Sequence, residues 1–277
     1  MDSSKTILFS DFDGTLFNSA GHVSQENRDA IACYVENGGM FAVATGRTPS
    51  NALQYLGGVC INAPSIMLNG AAVYDFNAKQ YLMASHLDQE KMVPVLRRVL
   101  ERVPEADLLI YNEDGIFYCT PEAQADPVVW KMHLPCTFTT LEEMRDKNFI
   151  KCQLCGPQRL AEKLREALKD ERDERVFHCI ESTSDAGGAR IDYFELVSPG
   201  MNKGVALQRM RALPEIAGRT VFAVGDYLND LEMLQCADVA IAPANAVDAV
   251  KAVAQFVTVS NNDHAIEHIL RELIPGL

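Results

Sequence analysis

Residues 6–16 read TILFSDFDGTL, and the fold turns on how that stretch is read. Ile7, Leu8 and Phe9 form an apolar run that predicts a short strand buried on both faces. Side chains alternate along a strand, so Asp11 and Asp13 leave its end pointing roughly the same way. Two carboxylates so placed repel unless a cation lies between them. Gly14 permits a sharp turn, and the N–H groups freed by that turn suit an anion. An Asp-Gly pair alone is a common surface turn. A carboxylate doublet directly after a buried strand, with Thr15 and Leu16 behind it, points instead to a functional loop.

The rest of the chain sets bounds on that function. At 277 residues it suits a core domain with an insertion. It carries 25 basic and 38 acidic residues, a net charge of −13 without a basic cluster, which argues against nucleic acid or an anionic membrane as partner. An anionic substrate would therefore need local positive charge or a metal. No apolar run approaches the ~20 residues that span a bilayer. The opening MDSSK lacks the apolar segment of a signal peptide, so a cytoplasmic protein is expected.

Eight cysteines, at 33, 60, 119, 136, 152, 155, 179 and 236, follow no framework spacing and are expected to be buried free thiols. Cys152 and Cys155 match C-x-x-C, but they sit in a strand-like run that would put them on opposite faces. No second such pair completes a zinc site.

Beyond the first loop the pattern is strand, helix, strand. A helix is expected from the N-cap Ser24 to Gly38-Gly39, a strand over 40–44 ending at Thr45-Gly46-Arg47, and a helix opened by Pro49. A strand over 65–68 ends at Asn69-Gly70-Ala71, and a hairpin follows through 74–83. This is the alternation of a parallel sheet covered on both faces.

After residue 84 the style changes. A helix over 87–103, a hairpin about Asn112-Glu113-Asp114-Gly115, a strand over 149–155, a helix over 157–170 and a strand over 175–180 read as α+β with antiparallel strands. Residues 182–188, STSDAGG, are the expected return hinge. Strands over 220–224, 239–242 and 256–259 then alternate with helices ending at Cys236 and spanning 245–254 and 263–273. The expectation is an α/β, doubly wound, Rossmann-like core of residues 1–83 and 190–277, interrupted by an inserted α+β cap domain of residues 84–189.

Ligands of open parallel sheets bind beyond the carboxyl ends of the strands. Asp11 and Asp13, Thr45 and Gly46, and Asp226, Asn229 and Asp230 all begin where an apolar strand stops. The carboxylates form a hard-oxygen set suited to Mg²⁺. Lys203 sits in a Pro-Gly turn that leads into a helix start, a context for phosphate. Thr45 supplies a hydroxyl and Gly46 an unshielded backbone N–H.

DFDGTL at 11–16, ATGR at 44–47, NKG at 202–204 and GDYLND at 225–230 together resemble the four motifs of the haloacid dehalogenase (HAD) superfamily. The likeness is closest to its Cof-like branch with an α/β (type IIB) cap, which also carries the Asn69-Gly70-Ala71 turn and a late Asn245-Ala246. One departure is Ala242-Pro243-Ala244 before Asn245, where relatives usually have Met-Gly.

The resemblance implies that Asp11 is a nucleophile forming an aspartyl phosphate and Asp13 an acid/base. It implies Mg²⁺ on Asp11, the Asp13 backbone carbonyl and Asp226, with Asp230 acting through water. Lys203, Thr45, Gly46 and Asn229 would bind phosphate oxygens, and the cap would select the leaving group. Arg47 either touches substrate or packs.

The function so implied is a Mg²⁺-dependent phosphatase of small phosphorylated metabolites, sugar phosphates first. The alternatives are a phosphomutase or a non-catalytic sensor of a phosphorylated metabolite. The expected partner is that metabolite, neither nucleic acid nor membrane, with a homodimer left open.

Overall fold

The computed structural model describes residues 2–133, 135–186 and 189–277. The chain begins with β1 (Thr6–Ser10), α1 (Gln25–Glu36), β2 (Met40–Val43), α2 (Pro49–Leu56), β3 (Ser65–Met67), β4 (Ala72–Asp75) and β5 (Gln80–Ala84). Next come α3 (Gln89–Arg102), β6 (Asp107–Asn112), β7 (Gly115–Tyr118), α4 (Pro127–Met132), β8 (Thr137–Phe138), β9 (Lys151–Pro157), α5 (Ala161–Asp170), β10 (His178–Ala186) and β11 (Ala189–Val197). The last stretch holds α6 (Lys203–Met210), β12 (Thr220–Val224), α7 (Leu231–Cys236), β13 (Val239–Ala242), α8 (Asp248–Val253), β14 (Phe256–Val257) and α9 (Ala265–His268). Two compact units result, one of the residues up to Met83 together with Asn202–Leu277, the other Ala84–Met201.

The first unit is built on a parallel sheet in the order β14-β13-β12-β1-β2. β1 is an interior strand, with Phe9 facing Ala42 on one side and Ala223 on the other. Ile7, Leu8 and Phe9 are fully buried, as a strand covered on both faces requires. Ser24 and Thr48 cap α1 and α2 by accepting from the N–H groups of Asn27 and Asn51, and Pro49 occupies the first turn of α2.

β3 departs from the expected single sheet. It meets the end of β2 at the bridge Ala44–Ile66 and then pairs antiparallel with β4 in the three-stranded sheet β3-β4-β5. Asn69 at φ 54° and Gly70 at φ 93° turn the chain back on itself there.

The second unit holds the sheet β10-β11-β9-β6-β7-β8, antiparallel except for the β7–β8 pair. One face is apolar: Leu108, Ile110, Cys152, Leu154, Phe194 and Leu196 pack with Leu96, Val99, Leu164 and Leu168 of α3 and α5. Residues of the other parity on the same strands are mixed, Leu109, Cys155 and Val197 standing among Lys151, Gln153 and Glu195. There Lys151, 2% exposed, donates to Glu195 Oε1 at 2.7 Å and lies 4.3 Å above the Tyr111 ring.

Two sequence expectations need correction. The core does not resume at 190, because β11 pairs with β10 and β9 and belongs to the second unit through Met201. Nor are residues 182–186 hinge: they are strand, paired in register with 189–193, while 187–188 lie outside the described residues. Ladder hydrogen bonds to β11, itself backed by β9, override the weak strand preference of Ser, Asp and Ala.

The cysteines are all free. Cys152 and Cys155 are buried on opposite faces of β9, as their spacing predicts. Cys33 and Cys60 are exposed, against expectation, because α1 turns Ala30, Ile31 and Tyr34 inward instead and Cys60 follows the end of α2.

Candidate active site

The carboxyl ends of β1, β2 and β12 deliver the motif residues to one edge of the first unit's sheet. Asp11 directly follows β1, where its N–H donates to the Val224 carbonyl at 2.9 Å, tying the ends of two neighbouring strands together. Gly14, at φ 81°, closes the loop behind it in a conformation open to glycine at no steric cost. After β12 the chain turns at Gly225 and Asp226, and the Asp230 carboxylate folds back so that Oδ2 accepts from the N–H groups of Asp226 (3.1 Å) and Tyr227 (3.2 Å). Thr15 donates its hydroxyl to Asp226 Oδ1 at 3.2 Å.

Lys203 opens α6, whose N-cap Asn202 accepts from the Val205 N–H. Its ammonium is fully buried and donates to Oδ1 of Asp11 and Oδ1 of Asp230, each at 2.6 Å. Burial pushes the Asp11 carboxyl well above its usual range, the Asp230 charge pushes it further, and Lys203 offsets only part. Asp226 is raised to about 6 by burial and then by Asp230. Burial works against the Lys203 ammonium, but Asp11 and Asp230 outweigh it and raise its pKa.

Asp11, Asp226 and Asp230 bring ligand oxygens within 4.8 Å of one another. Three carboxylates face one ammonium there. The residues fit a small divalent cation: hard oxygens, close spacing, and negative charge that Lys203 does not balance. The Asp13 carboxylate stands apart from this trio and pairs with Arg47.

The remaining candidates are joined through a residue to which sequence reasoning gave no role. Thr45 is buried, and its hydroxyl accepts from the Arg47 N–H at 3.2 Å. Asn69 donates its N–H to the Thr45 carbonyl at 3.0 Å, and its Oδ1 accepts from Asn229 Nδ2 at 3.0 Å. A Cβ on Gly46 would meet Asn69 Nδ2 at 2.8 Å, so the loop after β2 needs glycine there. Asn69 thus links Thr45 and Gly46 to Asn229. Its signal in the sequence was the Asn-Gly pair at a strand end, which marks a left-handed turn without naming its partners.

Asn245 completes the frame, donating Nδ2 to the Gly14 carbonyl at 2.7 Å and accepting from the Asn261 N–H at 2.9 Å. Pro243 leaves that reach intact.

Comparison with known proteins accords with this geometry. The family model of haloacid dehalogenase-like hydrolases matches residues 8–270. The chain is 24% identical over 284 residues to 5-amino-6-(5-phospho-D-ribitylamino)uracil phosphatase YitU of Bacillus subtilis, covering 98% of each chain. Phosphatase YwpJ of the same organism is 27% identical, with 97% of this chain and 99% of its own covered. The crystal structure of a haloacid dehalogenase-like hydrolase from Bacteroides thetaiotaomicron shares the fold, with a TM-score of 0.80 at 23% identity over 97% of this chain and 99% of that one.

Proposed function

Since the chain belongs to the haloacid dehalogenase-like hydrolase family and is a phosphoric monoester hydrolase, we propose that it is a Mg²⁺-dependent phosphatase of small phosphorylated metabolites, with sugar phosphates the preferred class. The observation that carries this reading is the buried Lys203 ammonium between Asp11 and Asp230, beside Asp226. The phosphorylated ribityl chain in the name of one relative's substrate supports a sugar or polyol phosphate.

Asp11 attacks phosphorus, forming an aspartyl phosphate as the bond to the leaving oxygen breaks. Asp13 gives that oxygen its proton and then takes one from the water that hydrolyses the intermediate. Lys203 fixes the orientation of Asp11 and, with Thr45, the Gly46 N–H and Asn229, stabilises charge on the non-bridging oxygens. Asp11, Asp226 and Asp230, with the Asp13 backbone carbonyl, would hold Mg²⁺, which when bound supplies charge compensation for the phosphoryl group. We place the enzyme in the cytoplasm, where free thiols are the rule.

The test is phosphate release from a panel of sugar phosphates, nucleotides and small phosphoesters, with Mg²⁺ or EDTA, by wild type and Asp11→Asn. Metal-dependent release lost in the variant is expected. Release that survives Asp11→Asn would sink the nucleophile assignment, and ligand binding without turnover would favour a sensor.

A further inference from the structure

Asp13 and Arg47 form a contact that the family motifs leave without a role. The Asp13 side chain is 62% exposed and stands in a loop whose backbone is not helical at that residue, so nothing local fixes its rotamer. Arg47 fixes it from across the site. Nε donates to Oδ2 at 2.9 Å and Nη2 to Oδ1 at 2.7 Å, a parallel two-bond fork. Nη1 donates to Asn51 Oδ1 at 2.8 Å. Each of the three guanidinium nitrogens thus donates to a protein oxygen, using three of the five N–H groups.

The guanidinium is itself immobilised. Its carbon lies 4.6 Å from the Tyr55 ring centre, 5.7 Å from that of Phe17 and 5.8 Å from that of Phe12. Phe12 and Phe17 are buried and flank the loop that carries Asp13, with ring centres 4.6 Å apart. The same loop thus presents the carboxylate and builds two walls of the cage around its partner. Exposed ion pairs are usually loose and contribute little. A caged fork is different, because the cation has already lost the freedom that such a pair normally costs.

We propose that Arg47 is a positioning residue for Asp13, setting the direction of the acid/base carboxylate through the two-bond fork. The proposal rests on the phosphatase reading above. In that reaction Asp13 must meet the leaving oxygen as its bond to phosphorus breaks, and the proton it delivers matters most when the departing group is a poor one.

The test compares kcat/KM, which reports events up to departure of the leaving group, for an alkyl substrate (ribose 5-phosphate) and an activated one (p-nitrophenyl phosphate). Arg47→Ala is expected to lower kcat/KM for the sugar phosphate by roughly tenfold or more, as loss of an aligned proton donor does. The aryl phosphate, which departs without a proton, should lose much less. Arg47→Lys should show the same selective loss, since one ammonium cannot form the fork. It also keeps the cation if Arg47→Ala folds poorly. Asp13→Ala should discriminate in the same sense, and adding Arg47→Ala to it should cost little more.

Equal losses on both substrates, or full activity in Arg47→Lys, would overturn the positioning role while leaving the phosphatase reading in place. A wild type that releases phosphate from no member of the wider panel above overturns that reading, and the role with it.

Discussion

Gly14 lies so close to Asp226 that a Cβ on the glycine would sit 2.3 Å from Oδ2 of the carboxylate. Backbone and the Asp226 carboxylate occupy adjoining space, and only the absent side chain allows it. Gly14→Ala should therefore do two things. The left-handed backbone, at φ 81°, should cost about 1–2 kcal/mol, read by urea unfolding. Displacement of Asp226 should weaken Mg²⁺ activation by about 10–100-fold, as disturbing a group that orients a metal ligand does. Unchanged Mg²⁺ dependence would mean that Asp226 is not a ligand.

Lys203→Met removes the cation that the Asp11 and Asp230 carboxylates share. Breaking a buried ion pair on one side typically costs about 3–5 kcal/mol. The variant should unfold at lower urea without Mg²⁺, and saturating Mg²⁺ should restore part of the loss by binding the exposed charge. Phosphate release should fall on the order of a hundredfold or more even at saturating metal. Near-normal turnover would remove Lys203 from the phosphate-binding set.

The metal-free protein should carry an unusual pH signature. Asp226 titrates near 6 in the folded chain, above its ordinary unfolded value, so the folded state holds more protons in between. That contribution to stability is complete at low pH and is lost as pH rises through about 6. Asp226→Asn cannot titrate there. In EDTA its stability should rise relative to wild type between pH 4.5 and 7.5, measured by urea unfolding. A difference that stays flat across that interval would contradict the assignment.

In the second unit, Glu195→Leu should remove the carboxylate paired with the buried Lys151 ammonium and cost about 3–5 kcal/mol. The double variant Lys151→Met with Glu195→Leu should recover most of that, since an apolar pair of similar volume avoids the desolvation of both ions. A double-mutant cycle on urea unfolding reads the coupling. Simple additivity would show that the pair does not act as a unit.

The loops after β1 and β12 were legible because each follows an uninterrupted apolar strand and carries residues that make little sense without a ligand. Asp11, Asp226, Asp230 and Lys203 do gather. What local sequence cannot carry is partnership. Arg47 reaches Asp13 across 34 positions and Asn229 reaches Asn69 across 160, so neither contact leaves a trace in its own neighbourhood. The return to the core was misplaced for a related reason. Ser182, Thr183 and Ser184 resemble linker, and only the ladder to Tyr193, Asp192 and Ile191 makes them strand. Composition reports what a residue prefers, whereas the neighbouring strand decides what it does.

The interior position of β1, between β2 and β12, also governs how the protein can be made. One flank of β1 is completed early, when Ile7 meets Met40. The other waits for β12, where Thr6 faces Thr220. At about 5–20 residues per second, that partner leaves the ribosome on the order of ten seconds or more after β1 does. Until then β1 has an open edge, and Asp11 lacks Asp230 beside it. A nascent or truncated chain ending before β12 should be a client for chaperones and catalytically silent. On this reading activity waits until β12 and the loop behind it have joined β1.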